Sequence, residues 1–176
     1  YLGSGEGHWQ TVWENSLPLK ITRTAFDSWE YPDKKNWIAT IDEYVNAADA
    51  PVIIVAHSLG CVATVHWLAQ QKRKGIAGAL LVAPADPEKS NNPLISAFGP
   101  MPLTKLPVPT IVVASTNDPY AQTYRLAQFS AHWGSRFISI GDKGHINAAS
   151  GLGDWKEGQA LLTDLIASLN SRHSLL

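Results

Sequence analysis

Short runs of aliphatic residues recur along the chain, and longer segments with helical spacing separate them. Runs of this length and composition are typical of strands that helices cover on both faces of a parallel sheet. The predicted strands are Val52–Val55, Ile76–Ala83, Thr110–Ala114 and Phe137–Ile140. A weaker alternation of apolar and polar residues predicts one further, more exposed strand over Leu19–Ala25.

The predicted helices lie before and between these strands. Trp9, Val12 and Trp13 fall at positions i, i+3 and i+4 of one helical face. Asp33 stands at an N-cap position, directly before a segment whose apolar residues repeat at helical spacing up to Val45. Strands that alternate with helices indicate an α/β fold, a three-layer sandwich with a mostly parallel sheet and helices on both faces. Further helices are predicted over 61–71, 120–133 and 155–169.

Length and charge limit the classes of protein to consider. At 176 residues we expect one domain, residues 1–176, and no insertion is long enough for a separate lid domain. The formal net charge is −1 with acidic and basic residues interspersed, so neither a nucleic-acid nor a membrane partner is indicated. A single cysteine, Cys61, cannot form an internal disulfide and suits a reducing compartment, so we expect a cytoplasmic location. No histidine pair has metal-ligand spacing, and no metal or cofactor is expected.

The segment 52–60 carries the strongest chemical signal. The strand Val52–Val55 is followed by Ala-His-Ser-Leu-Gly at residues 56–60 and then by a predicted helix. In a nucleophile elbow, small residues two positions before and after a serine allow the sharp turn that lifts its hydroxyl above the sheet. Ala56 and Gly60 occupy these positions around Ser58. The alternative is that Ser58 only caps the following helix.

Two further residues at the ends of predicted strands would complete a catalytic triad. Asp118 follows the strand Thr110–Ala114, and His145 lies in the loop after the last strand. The chain order Ser58, Asp118, His145 is the order of α/β-hydrolase triads. Asp118 could instead cap the next helix, and Asp142 and Asp86 are the alternative acids.

The glycine-rich segment before Trp9 allows two interpretations. Gly3, Gly5 and Gly7 lead into a helix, and Asp27 stands about where a ribose-binding acid of a dinucleotide site would lie. That interpretation lacks its third glycine, because position 8 is a histidine. The second interpretation is an oxyanion loop, which supplies a backbone N–H to the developing negative charge.

These segments resemble the α/β-hydrolase superfamily, and within it the small, lidless serine hydrolases of the YdeN and retinoblastoma-binding-protein-9 type. Residues 56–60 match the pattern G-x-S-x-G except that Ala56 replaces the first glycine. Residues 4–9, Ser-Gly-Glu-Gly-His-Trp, resemble the motif S-G-x-x-H-W of that family. Residues 27–32 resemble its D-W-x-x-P segment with one inserted residue. The likeness extends over nearly the whole chain.

The resemblance implies an oxyanion hole and a further strand. One donor is expected to be the backbone N–H of Leu59, directly after Ser58, and the other that of Tyr1 or Leu2 in the glycine loop. In this family a central strand precedes the glycine loop, so we expect an apolar strand before Tyr1. Because loops after sheet strands bind ligands in α/β proteins, the substrate pocket is predicted to include His8, Trp9 and Trp29.

Two functions from different classes follow. The first is a serine hydrolase that cleaves small carboxylic esters, or amides, through a Ser-His-Asp triad and an acyl-enzyme intermediate. Its partner would be a small-molecule ester. The second is a protein-binding module that retains a hydrolase fold with little or no catalysis, since a fold alone does not determine function. The three candidate triad residues favour the first.

Overall fold

The chain folds around a parallel sheet in the computed structural model, which describes residues 1–70 and 75–173. The last residue of the helix predicted over 61–71 lies outside the described residues. The strands are β1 Val52–His57, β2 Ile76–Val82, β3 Thr110–Ala114 and β4 Arg136–Ser139. The helices are α1 Trp9–Ser16, α2 Lys34–Asn46, α3 Leu59–Gln70, α4 Pro93–Ser96, α5 Thr123–Trp133 and α6 Lys156–His173.

The parallel sheet brings the loops that hold Ser58, Asp118 and His145 to its carboxyl end. The order is β1-β2-β3-β4, and each neighbouring pair is parallel. All four carboxyl ends therefore lie on the same side, and the loops that follow β1, β3 and β4 meet there. Ligands bind at this edge in open α/β sheets.

Alternate residues of β2 show the three predicted layers. Ala79 and Leu81 belong to the core cluster that also contains buried residues of α2, α3 and α5. Leu80 and Val82 point to the opposite face and join the cluster formed with α1 and α6. This alternation confirms the three-layer α/β sandwich, because successive strand residues face opposite sides of a sheet.

The proline-rich segment 84–109 packs into the body of the protein. Four of its large apolar residues are at most 4% exposed and belong to the cluster beside α2 and α3. Asn92 caps the short helix α4 by accepting a hydrogen bond from Leu94 N. These four apolar residues are Ile95, Phe98, Met101 and Leu106.

Two strand predictions need correction. The segment Leu19–Ala25 forms no strand. Its apolar residues Leu19 and Ile21 are 48% and 39% exposed, so they are not buried against a sheet or a core as a strand of this pattern would require. Val52–Val55 were predicted to be buried on both faces, but these residues of β1 are only partly buried. The reason is that β1 is an edge strand of the described sheet, where Gln10 Nε2 donates to Val55 O at 3.1 Å.

Helix α6 docks on α1 through tryptophan rings. Trp155 lies just before α6 with φ 42°, and its ring stacks on Trp13 with centroids 5.8 Å apart. The same ring covers Gly158, where a Cβ atom would lie 2.2 Å from it. Glycine at 158 is therefore required by contact. Among residues 1–70 and 75–173, no helix has the length and apolarity needed to cross a membrane.

Candidate active site

Ser58 occupies a strained turn between β1 and α3. Its φ is 54°, a left-handed conformation that costs non-glycine residues about 1–3 kcal/mol. Two backbone hydrogen bonds hold the turn: Ser58 N donates to Val82 O at 3.0 Å, and Cys61 N donates to Ser58 O at 3.0 Å. A Cβ at Gly60 would meet nothing within 4 Å, so the described contacts do not explain the predicted need for a small residue there.

A hydrogen-bonded series joins the three candidate residues. His145 Nε2 lies 2.7 Å from Ser58 Oγ, and His145 Nδ1 lies 2.9 and 3.0 Å from the two carboxylate oxygens of Asp118. The Asp118 side chain is fully buried and that of His145 is 8% exposed. The imidazole is thus placed between a hydroxyl and a carboxylate, both at ordinary hydrogen-bond distance.

The alternative acids have other partners. Thr116 Oγ1 donates to the carboxylate of Asp142. Asp86 is 1% exposed and accepts a hydrogen bond from Arg125 Nε at 2.7 Å. Asp118 is therefore the carboxylate that contacts the imidazole of His145. Asp86 instead supports the segment that carries Asp118, because Asp86 N donates to Tyr120 O at 3.1 Å.

Four side chains from elsewhere in the chain bind the backbone of the loop that carries His145, one at each of four consecutive residues. Ser115 Oγ accepts from Lys143 N at 2.9 Å, and Asn117 Oδ1 accepts from Gly144 N at 2.6 Å. On the other side, His57 Nε2 donates to His145 O at 2.8 Å and Trp9 Nε1 donates to Ile146 O at 2.8 Å. We refer to these four bonds over residues 143–146 as the loop clasp.

Two further imidazoles lie behind His145. The ring centroids of His57 and His145 are 4.8 Å apart, as are those of His8 and His57. Burial, and then the neighbouring His145, hold the pKa of His57 well below its usual value. Burial, followed by Arg23 and His145, lowers the pKa of His8 from 6.5 to about 4. Both rings are therefore neutral near pH 7.

His8 also has an unusual polar atom. Its Nδ1 accepts a hydrogen bond from Gln10 N at 3.2 Å and so caps α1. The proton of the neutral ring is then on Nε2, which is buried without a hydrogen-bond partner among the described residues.

The structure distinguishes between the predicted oxyanion donors by the partners of their N–H groups. Leu59 is the first residue of α3, so its N–H has no acceptor within the helix and lies directly after Ser58. The prediction for Leu2 is wrong, because Leu2 N already donates to Trp29 O at 2.8 Å. Tyr1 packs against the core cluster that contains Leu59.

The predicted pocket residues are mostly buried. Trp9 is 1% exposed and belongs to the loop clasp, so the prediction that it lines an open pocket is wrong. His8 is 4% exposed and likewise offers little surface to a ligand. Trp29 is partly buried, with its ring packed edge-on against Phe26 and Trp37 at 5.0 and 5.7 Å.

Two residues at this edge had no predicted role. Asn117 holds the His145 loop, and the ring of Tyr120 lies 4.4 Å from that of His145. Their signal in the sequence is position alone, since both lie within two residues of Asp118 directly after β3.

Comparison with known proteins identifies the family. A family model described as serine hydrolase matches residues 1–164. The chain belongs to the serine hydrolase family. Hydrolysis is thus the class of activity that this serine hydrolase shares with its relatives. The comparison with curated proteins found no match.

Solved structures agree with this assignment. The serine hydrolase is 33% identical to a putative YdeN-like hydrolase from Pectobacterium atrosepticum, with a TM-score of 0.84 over 94% of this chain and 86% of that one. It is 20% identical to the ydeN gene product of B. subtilis, with a TM-score of 0.69 over 81% and 80% of the two chains. A serine hydrolase involved in carbazole degradation shares the fold, at 17% identity and a TM-score of 0.62 over 93% and 86%.

Proposed function

We propose that this serine hydrolase cleaves small carboxylic esters through an acyl-enzyme formed on Ser58. The observation that carries the proposal is the series Ser58 Oγ, His145 Nε2, His145 Nδ1 and Asp118, with separations of 2.7 and 2.9–3.0 Å. In this arrangement a hydroxyl can lose its proton to the imidazole as it attacks a carbonyl carbon.

Each proton in the reaction has a place to go. His145 takes the proton of Ser58 while Oγ bonds to the acyl carbon, and then gives it to the alcohol oxygen as the ester bond breaks. A water molecule next loses a proton to His145 and attacks the acyl carbon, and His145 returns that proton to Ser58 Oγ as the bond to the acyl group breaks and the acid leaves. Asp118 holds the Nδ1–H tautomer throughout and stabilises the imidazolium, which its full burial favours.

The oxyanion is assigned to backbone donors. Leu59 N–H supplies one of them, supported by the aligned peptide dipoles of α3. We assign the second donor to Tyr1 N–H, because Leu2 N–H is engaged by Trp29 O. Removing one such donor typically costs about 10² to 10³ in rate.

An activity-based label tests the nucleophile. A fluorophosphonate probe should label the wild-type protein and fail to label Ser58→Ala, which should also lose ester hydrolysis. Ser16→Ala, at an exposed serine of α1, is the matched control and should be labelled like the wild type. The melting temperature of Ser58→Ala should not fall, because the substitution removes one partly exposed hydroxyl and leaves the core unchanged.

Two outcomes would contradict the proposal. If Ser58→Ala retained hydrolysis, another nucleophile would be at work. If the folded wild-type protein were neither labelled nor active on esters of any acyl length, the protein-binding module would become the better account. A panel of esters with increasing acyl length, together with the matching amides, defines the substrate range.

A further inference from the structure

Tyr120 is an exposed aromatic residue that is fixed beside the candidate catalytic histidine. Tyr120 is 50% exposed, while its ring centroid lies 4.4 Å from that of His145 with the planes tilted by 52°. Both of its backbone polar groups are bound: Tyr120 N donates to Asp118 Oδ1 at 2.9 Å, and Tyr120 O accepts from Asp86 N at 3.1 Å. The ring therefore presents a preformed apolar face to solvent at this position.

The reaction determines which part of a substrate would meet that face. His145 Nε2 must deliver its proton to the alcohol oxygen, so this oxygen lies beside the imidazole in the transition state. The group attached to the oxygen then begins within reach of Tyr120. The acyl group is bonded to the carbon that Ser58 attacks and is directed elsewhere.

A cavity borders Tyr120. Its volume is about 360 Å³, and Tyr120, Tyr124 and Gln122 contribute to its lining. The cavity wall also carries charged side chains: Asp118 pairs with His145, Asp86 pairs with Arg125, and Lys89 is a further cation there. The two tyrosine rings offer flat apolar faces on which a ring of the alcohol can stack.

We propose that Tyr120 and this cavity form a leaving-group subsite that selects esters whose alcohol carries a flat ring. The inference rests on the proposed esterase function and specifies the alcohol half of the substrate. Tyr120 acts by contact with the alcohol, and the ring, not the hydroxyl, carries the effect.

Two acetate esters isolate the alcohol. Benzyl acetate and 2-methoxyethyl acetate have leaving alcohols of similar acidity, and both form the same acetyl-enzyme, so their ratio of kcat/KM reports the leaving group alone. In Tyr120→Ala this ratio, benzyl over methoxyethyl, should fall about 10-fold, equivalent to about 1.4 kcal/mol. Tyr120→Phe keeps the ring and should preserve the ratio within about 2-fold. Leu103→Ala removes an exposed apolar side chain elsewhere, 52% exposed in the wild type, and should also preserve it.

Acyl transfer tests the same subsite in the wild-type protein. If the acetyl-enzyme is offered benzyl alcohol and 2-methoxyethanol in equal amounts, the subsite predicts about 10-fold more benzyl acetate than methoxyethyl acetate. Transfer joins the acetyl carbon to the alcohol oxygen and returns the proton to Ser58, so it balances without another reactant.

The outcomes separate this inference from the proposed function. Equal loss of activity on both esters in Tyr120→Ala would mean that the ring only supports His145, and would overturn the subsite. Equal transfer to the two alcohols by the wild type would also overturn it. A wild-type protein that is neither labelled at Ser58 nor active on either ester would overturn the proposed function, and the subsite with it.

Discussion

The folded protein keeps the imidazole of His8 neutral. Acid should therefore destabilise the fold below about pH 6.5. His8 is 4% exposed, and burial, Arg23 and His145 together lower its pKa to about 4 in the folded protein. In the unfolded chain the same imidazole has its ordinary value of about 6.5. Protons therefore bind the unfolded state first as the pH falls.

The sign and size follow from this difference. Stability is fully present above about pH 6.5 and is lost as the pH falls towards about 4, where the folded protein also binds the proton. Each pH unit in that window costs about 1.4 kcal/mol, or roughly 3 kcal/mol over the whole window. That is a large part of a typical unfolding free energy of about 5–15 kcal/mol. His57, whose pKa is also lowered by burial, adds a loss of the same sign.

Urea unfolding between pH 4.5 and 7 measures the effect. In His8→Asn the new side chain cannot titrate but can still accept the hydrogen bond from Gln10 N and cap α1. The variant should be less stable at pH 7 because packing is lost. Its unfolding free energy should fall less steeply with acid than that of the wild type, and the two slopes should differ by about 1.4 kcal/mol per pH unit. Asn15→Ser changes an exposed, non-titrating side chain of α1 and should keep the wild-type slope. Parallel curves for the wild type and His8→Asn would refute the reasoning.

Two further substitutions test the site and the core. Asp118→Asn should lower kcat/KM about 10³- to 10⁴-fold by favouring the wrong tautomer of His145, whereas Asp142→Asn should stay within several-fold; a similar loss in both would contradict the assignment of the acid. Gly158→Ala should destabilise the protein by about 1–3 kcal/mol in thermal or urea unfolding, since the added Cβ would overlap the Trp155 ring. The control Gly60→Ala adds a Cβ with no contact within 4 Å and should be neutral or stabilising. Equal effects of the two substitutions would count against the packing argument.

The sequence predicted the parts of the structure that depend on local pattern. Each aliphatic run that is covered by helices became a strand, since burial on both faces leaves a continuous apolar signature. Ser58, Asp118 and His145 could be selected because each follows a different strand, and parallel strands bring their carboxyl ends to one edge. The structure places His145 within hydrogen-bond distance of both Ser58 and Asp118.

The rest depends on tertiary contacts that residue types do not encode. Nothing in the residue Leu2 indicates that its N–H is bound by Trp29 O, which leaves it unavailable as a donor. Trp9 resembled a ligand contact because it lies near a loop, yet its Nε1–H is bound to Ile146 O, more than a hundred residues away. Alternation over Leu19–Ala25 suggested a strand, but a strand also requires a neighbour to pair with, and that segment has none among the described strands.

The loop clasp bears on how much of the ordering required for catalysis precedes substrate binding. Four side chains fix four consecutive backbone groups around His145, and they come from the loop after β3, from β1 and from α1. The entropy of ordering this loop is thus lost once, at folding, and not in each turnover. Under the proposed mechanism we therefore expect nearly every molecule to be competent when it meets a substrate, with no loss of apparent affinity to a minor population of the active form. Catalysis in this protein should begin without a preceding isomerisation of its base.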